Sequence, residues 1–395
     1  MESGVALDER LASRLDELRR SGLYRKRHIV DAVRGAMEVI VDGRPCIDFC
    51  SNDYLGLRRD PEILAAFVAA AGHYGVGSGA AHLITGHTRE HHALEEELAD
   101  FLERPRALLF STGYMANLGI AVALAGRNDT FIEDRLNHAS LLDAARLAGA
   151  RLQRYAHADA AALARRLEGS ASAGRFVVTN GVFSMDGDLA PLPELAQLSA
   201  AHRACLIVDD AHGFGVIGAG GAGTLEHFGL DVQAVPVLMV TLGKALGVFG
   251  AAVAGSEALI ETLIQSARTY IYTTALPPAV AAAARAALRI VQCQAWRREK
   301  LRANIARFRN GVSALGLELP ASMTPIQPLP VGDARRAVQA SEALVAAGFR
   351  IAAIRPPTVP AGSARLRVTL SAGHDDTHID RLLDALASIK LGVAA

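Results

Sequence analysis

Leu7, Leu11, Leu15 and Leu18 recur every three or four positions among charges, and this spacing predicts an amphipathic helix over residues 7–24. Two short runs, Glu38–Val41 and Cys46–Cys50, then flank Asp42-Gly43, which predicts a hairpin. From about residue 60 the pattern changes to short apolar runs: Ala107–Phe110, Thr130–Glu133, Leu152–Tyr155, Phe176–Thr179, Cys205–Asp209, Val237–Thr241 and Gly250–Ala254. Helical stretches such as Leu141–Leu147, Ala160–Leu167 and Leu192–Ala201 separate most of them. Continuous apolar runs suit strands buried on both faces. Their alternation with helices predicts an α/β fold with one mostly parallel, seven-stranded sheet between helix layers.

Pro277-Pro278 closes this region, and a long helical stretch over 279–315 is expected next. Beyond it, Ile326–Pro330, Phe349–Ile354 and Leu366–Leu370 read as strands, alternating with helices Ala334–Ala347 and Thr377–Ser388. The expected division is an N-terminal helix and hairpin over 1–59, a large domain over 60–285 and a small α/β domain over 286–395.

A chain of 395 residues that is 51% hydrophobic and 21% charged can bury a core of that size. Lys plus Arg and Asp plus Glu are both 41, so the basic footprint of a nucleic-acid binder is missing. The four cysteines, Cys46, Cys50, Cys205 and Cys293, include no Cys-x-x-Cys pair. They read as small apolar residues in a reducing compartment. The opening MESGVALDERLASRLDELRR is too charged for a signal peptide, and the alanine-rich run 279–289 is interrupted by Arg285 and Arg289. A cytoplasmic protein with no membrane span is expected.

Polar clusters follow five of the predicted strands. They are Ser111-Thr112-Gly113-Tyr114, Asn137-His138, Phe183-Ser184-Met185-Asp186-Gly187, Asp209-Asp210-Ala211-His212-Gly213 and Thr241-Leu242-Gly243-Lys244. Strand ends of an open α/β sheet share one edge, where ligands gather. The first cluster suits phosphate binding by backbone N–H groups, or simply a helix cap. Asp209 with His212 reads as a metal pair, an electrostatic partner for a cofactor ring or a capping acid. Lys244 alone reads equally as a solvated loop residue or a functional amine. No Walker or dinucleotide fingerprint occurs, which lowers the case for ATP and NAD.

Together with Ser51-Asn52-Asp53-Tyr54-Leu55-Gly56-Leu57, the last three of these motifs resemble the α-oxoamine synthase family, which has the fold type I pyridoxal-phosphate transferase architecture. The resemblance spans nearly the whole chain. The stretch 353–367, with Pro356-Pro357-Thr358-Val359-Pro360, looks most like the family member that acts in biotin synthesis. That member joins L-alanine to a pimeloyl thioester, on CoA or a carrier protein, with loss of CO2. Alternatives within reach are the glycine and acetyl-CoA member and a non-catalytic regulator of the same fold. Gly77-Ser78-Gly79-Ala80-Ala81 departs from the family's usual loop by its two alanines.

The resemblance implies pyridoxal 5'-phosphate as cofactor and no metal. It implies Lys244 as covalent anchor and general base, Asp209 on the ring nitrogen and His138 stacked on the ring and touching substrate. His212 and Ser184 would sit near the phenolic oxygen, Gly113 and Tyr114 would add cofactor contacts, and Thr241 would hold phosphate. Arg25, Thr358 and Arg367 would bind substrate, with Arg367 favoured for the carboxylate over Arg365 or Arg355. A homodimer with active sites at its interface is implied too, with Thr274 reaching the neighbouring subunit's cofactor.

Overall fold

The structure is a computed structural model and describes residues 2–170 and 172–389. Its strands are β1 (Val30–Val33), β2 (Glu38–Val41), β3 (Arg44–Asp48), β4 (Arg106–Phe110), β5 (Thr130–Asp134), β6 (Arg151–Tyr155) and β7 (Arg175–Asn180). They continue with β8 (Cys205–Asp209), β9 (Val237–Thr241), β10 (Ala251–Gly255), β11 (Ile326–Gly332), β12 (Phe349–Arg350), β13 (Ala352–Ile354) and β14 (Ala364–Thr369).

The central sheet has seven strands in the order β4-β10-β9-β8-β7-β5-β6. All pairings are parallel except those of β10, which runs antiparallel to β4 and β9. Each expected apolar run of this region is one of its strands. The strands are buried because alternate residues feed two cores. Ala107, Leu109, Val177, Leu206, Val208, Leu238 and Val240 point into one. Leu108, Phe110, Val178, Ile207, Val237 and Met239 point into the other. The first face is covered by helices Arg89–Phe101, Ala160–Glu168 and Leu192–Ala201, through Leu94, Leu98, Leu163, Leu167 and Leu195. The second is covered by Gly113–Leu124, Ala139–Leu147 and Glu257–Ser266, through Ile120, Leu141, Ile260 and Leu263. A period of two in the strands thus divides one sheet between two helix layers.

Two expectations beyond this sheet need correction. The helical stretch 279–315 is two helices, Pro278–Cys293 and Ala295–Ala314, because Gln294 leaves helical geometry at φ −112°, ψ 64°. The run Phe349–Ile354 divides at Ile351: β12 pairs in parallel with β3, and β13 pairs with β14. The N-terminal hairpin therefore shares a sheet, β1-β2-β3-β12, with the C-terminal part, and β11-β14-β13 forms the third sheet. Among the described residues no helix is long and apolar enough to cross a membrane.

Candidate active site

The carboxyl ends of β4, β5, β7, β8 and β9 lie along one edge, and the segments after them close round a cavity of about 180 Å³. Gly113, Tyr114, His138, Ser184, Asp209, His212, Thr241 and Lys244 all line it. A larger cleft of about 590 Å³ lies around Phe101, Leu225 and Gln292, and none of the residues singled out from the sequence lines it.

Asp209 ends β8 beside Asn180 of β7 and Met239 of β9. Its carboxylate is held in place on both oxygens. Oδ1 accepts the Ala211 N–H at 3.1 Å, and Oδ2 accepts Asn117 Nδ2 at 2.9 Å. The same Asn117 amide donates to Ser140 Oγ at 2.8 Å, while its own Oδ1 is buried without a partner. Lys244 follows β9 and is half-buried, and its amine makes no hydrogen bond or ion pair among the described residues. Burial pushes it down to about 8, against the opposing pull of Asp209 and with a further push from Arg367.

His138 caps helix Ala139–Leu147 through Nδ1, which lies 2.7 Å from Ser140 Oγ, and its N–H donates to Asn180 Oδ1 at 2.9 Å. His212 is buried, with Nδ1 2.6 Å from the Tyr54 hydroxyl. Burial drives His212 well below the usual histidine range, and the charges of Lys244 and Arg367 add to this, so its ring is neutral. Thr112 caps helix Gly113–Leu124 by accepting the Met115 N–H. The N–H groups of Gly113 and Tyr114, the first two of that helix, have no intrahelical acceptor. Tyr114 itself donates its hydroxyl to Asp143. Thr241 donates to the Gly250 carbonyl at 3.1 Å.

The expected substrate residues lie elsewhere. Arg25 and Thr358 meet at 3.4 Å on an exposed surface, far apart in sequence, and neither lines the cavity. Arg367 is buried behind it. Its Nε donates to the Ser184 carbonyl at 2.6 Å, Nη1 to Thr369 Oγ1 at 3.0 Å and both terminal nitrogens to Asn52 Oδ1 at 3.4 Å. Arg365 is taken up by Asp186, and Arg355 donates to the Tyr24 carbonyl at 2.8 Å. Thr274 is exposed and lies outside this chain's cavity.

Asn117, Asn180, Ser140, Ala211 and Met239 also line the cavity and were given no role from the sequence. Tyr54 stood within a quoted motif, and Asn117 three residues past one. What marks them is a contact across the fold, and the chain order does not show it.

An acid fixed on two donors, an unpartnered amine, two imidazoles and a helix N-terminus suit a flat, cationic ring that carries a phosphate. Residues 44–386 match the model of the aminotransferase class I and II family. The chain belongs to that family. It is 63% identical over 377 residues to the 8-amino-7-oxononanoate synthase of Thioalkalivibrio sulfidiphilus, covering 95% of this chain and 96% of that one. It is 59% identical over 383 residues to the same-named protein of Cellvibrio japonicus, covering 97% and 96%. The fold matches serine palmitoyltransferase from S. paucimobilis, solved with a bound PLP–myriocin aldimine, at TM-score 0.92 and 30% identity over 98% of both chains. It matches 8-amino-7-oxononanoate synthase from Francisella tularensis at TM-score 0.76 and 34% identity, over 87% of this chain and 97% of that one. The architecture is that of the fold type I pyridoxal-phosphate transferases.

Proposed function

We propose that this protein is a pyridoxal-phosphate-dependent C-acyltransferase that condenses L-alanine with a pimeloyl thioester, giving 8-amino-7-oxononanoate, CO2 and the free thiol for biotin synthesis. The observation that carries this reading is Lys244 and Asp209 in one cavity with His138 and His212, in a chain 63% identical to a relative of that name.

Lys244 would hold the cofactor covalently, Asp209 would face its ring nitrogen and His138 its ring. His212 and Ser184 would lie near its phenolic oxygen, and the Gly113 and Tyr114 N–H groups with Thr241 near its phosphate. When bound, pyridoxal phosphate supplies a ring that takes up the electron pair left on the amino-acid α-carbon. Asp209, its carboxylate held in place by Ala211 and Asn117, would keep a proton on that ring's nitrogen. The Lys244 amine, pushed down to about 8, is neutral often enough near physiological pH to take the α-proton of alanine. Arg367 carries the positive charge that a carboxylate needs, and its guanidinium is already oriented by Ser184 and Asn52. Arg25 and Thr358, in contact at the surface, would meet the acyl chain as it enters.

The active form is a cytoplasmic homodimer. Leu64, Phe67 and Val68 form one exposed apolar face of helix Pro61–Tyr74, and Val76, Leu83, Ile84 and Tyr272 are exposed as well. Exposed apolar residues of this kind, with Tyr272 two positions from Thr274, support burial against a second copy. A mixed dimer of a Thr274→Ala chain and a Lys244→Ala chain then has one intact site and regains activity. A mixture as inactive as its parents would refute the shared site.

The reaction is tested by free-thiol release from pimeloyl-CoA. Release is expected with L-alanine and not with glycine or serine. Release only with glycine and acetyl-CoA would overturn the proposal.

A further inference from the structure

Helix Arg89–Phe101 carries a second cluster that the reaction does not use. His87 stands two residues before the helix, and His92 and Glu95 are three apart on it. One ligand atom of each lies within 4.8 Å of the others, the one such trio of His, Cys, Asp or Glu among the described residues. Together with Glu96 they line a cavity of about 290 Å³. None of them lines the cavity of Lys244.

Two of the three are already oriented. His87 Nδ1 lies 3.1 Å from His82 Nδ1, and the opposite nitrogen, Nε2, faces Glu95 Oε2 at 3.9 Å. The His82 ring is itself held by stacking on Tyr270, at 4.9 Å and 12°. A ring held by a hydrogen bond at one nitrogen, with the other left for a metal, is how ligating imidazoles are set. Glu95 Oε1 accepts the Leu109 N–H at 2.9 Å, which leaves Oε2 for a ligand.

We propose that His87, His92 and Glu95 bind one divalent transition-metal ion of the zinc class, with water in the fourth position. Two imidazoles and a carboxylate are a donor set that zinc takes tetrahedrally. Metal–ligand bonds of about 2.1 Å place the ligand atoms roughly 3.4 Å apart. The 3.9 Å contact needs a shift of a few tenths of an ångström, and exposed His92 would have to exchange its 3.4 Å surface contact with Glu96 Oε1 for the metal. The ion braces helix Arg89–Phe101 against β4 through Leu109, just before Thr112 and Gly113 of the active site.

The test uses tag-free holoprotein, stripped with EDTA and titrated with zinc chloride in a calorimeter. Uptake of one zinc per chain is expected, with a higher unfolding temperature in zinc than without it. His92→Ala and Glu95→Gln should each weaken uptake by about tenfold or more. The His92 side chain is 53% exposed, so its loss leaves the fold intact. A glutamine at position 95 still accepts the Leu109 N–H. No saturable uptake, or uptake that survives either substitution, overturns the site. Thiol release is a separate readout, so failure here leaves the synthase reading untouched.

Discussion

The two sides of the proposed active site are built differently. The cofactor side comes from consecutive strand ends of one sheet, where Asp209, His212, Thr241 and Lys244 sit within a few residues of a buried strand. The substrate side comes from distant segments. Arg367 on β14 reaches Asn52, and Arg25 reaches Thr358. Backbone hydrogen bonds of the sheet fix the first side. Side-chain contacts between segments distant in the chain fix the second. Substitutions on the first side should therefore abolish chemistry, and those on the second should mainly weaken substrate capture.

Lys244→Ala carries the largest effect. Losing both anchor and base should lower kcat by about a thousandfold or more, together with loss of the cofactor's absorbance band. In the wild type, kcat should rise with pH through about 8 and level off above it. The amine takes a proton only when neutral, and its neutral fraction grows above that value. A kcat that is flat from pH 7 to 9 would argue against Lys244 as the base. Asp209→Asn comes next, at about a hundredfold, because it removes the preorganised charge proposed to face the ring nitrogen. Asn117 and Ala211 still pack around the new amide, so cofactor binding should persist.

These two residues show what was legible in the chain. The seven strands were readable because each is a short apolar run buried on both faces, and strand ends then had to converge. The break at Gln294 was not, because the helix-forming pattern runs through it and only packing turns the chain there. The division at Ile351 was equally hidden: β12 and β13 look like one strand until their different partners are known. Among three nearby arginines, the resemblance favours Arg367 for the carboxylate, and the pairing of Arg365 with Asp186 supports the same choice.

That distinction is itself testable. Arg367→Lys should raise the KM for alanine, lowering kcat/KM by about thirtyfold, because a buried, multiply bonded guanidinium is replaced by a point charge. Arg365→Lys should cost less than about fivefold, as it disturbs a single ion pair. The reverse order would move carboxylate recognition to Arg365. In both variants the cofactor's absorbance should stay that of the wild type.

The smallest effect probes the join between the two sides. Asn52 Oδ1 receives Arg367 at 3.4 Å and the Tyr54 hydroxyl at 3.2 Å, and Tyr54 meets His212 Nδ1 at 2.6 Å. Burial pushes Tyr54 up to about 12, so its hydroxyl stays protonated and the chain of hydrogen bonds holds through the working pH range. Tyr54→Phe removes two contacts without changing shape, and loss of a hydrogen bond worth about 1 kcal/mol is roughly a fivefold effect on kcat/KM. Independent sides would make Tyr54→Phe and Arg367→Lys additive in the double variant. The shared Asn52 oxygen instead predicts a double variant less impaired than the product of the two, because either change alone already frees part of the same network. Strict additivity would show that substrate capture and the cofactor side are fixed separately, and that the bond between Tyr54 and His212 serves only the packing of β8 against the N-terminal segment.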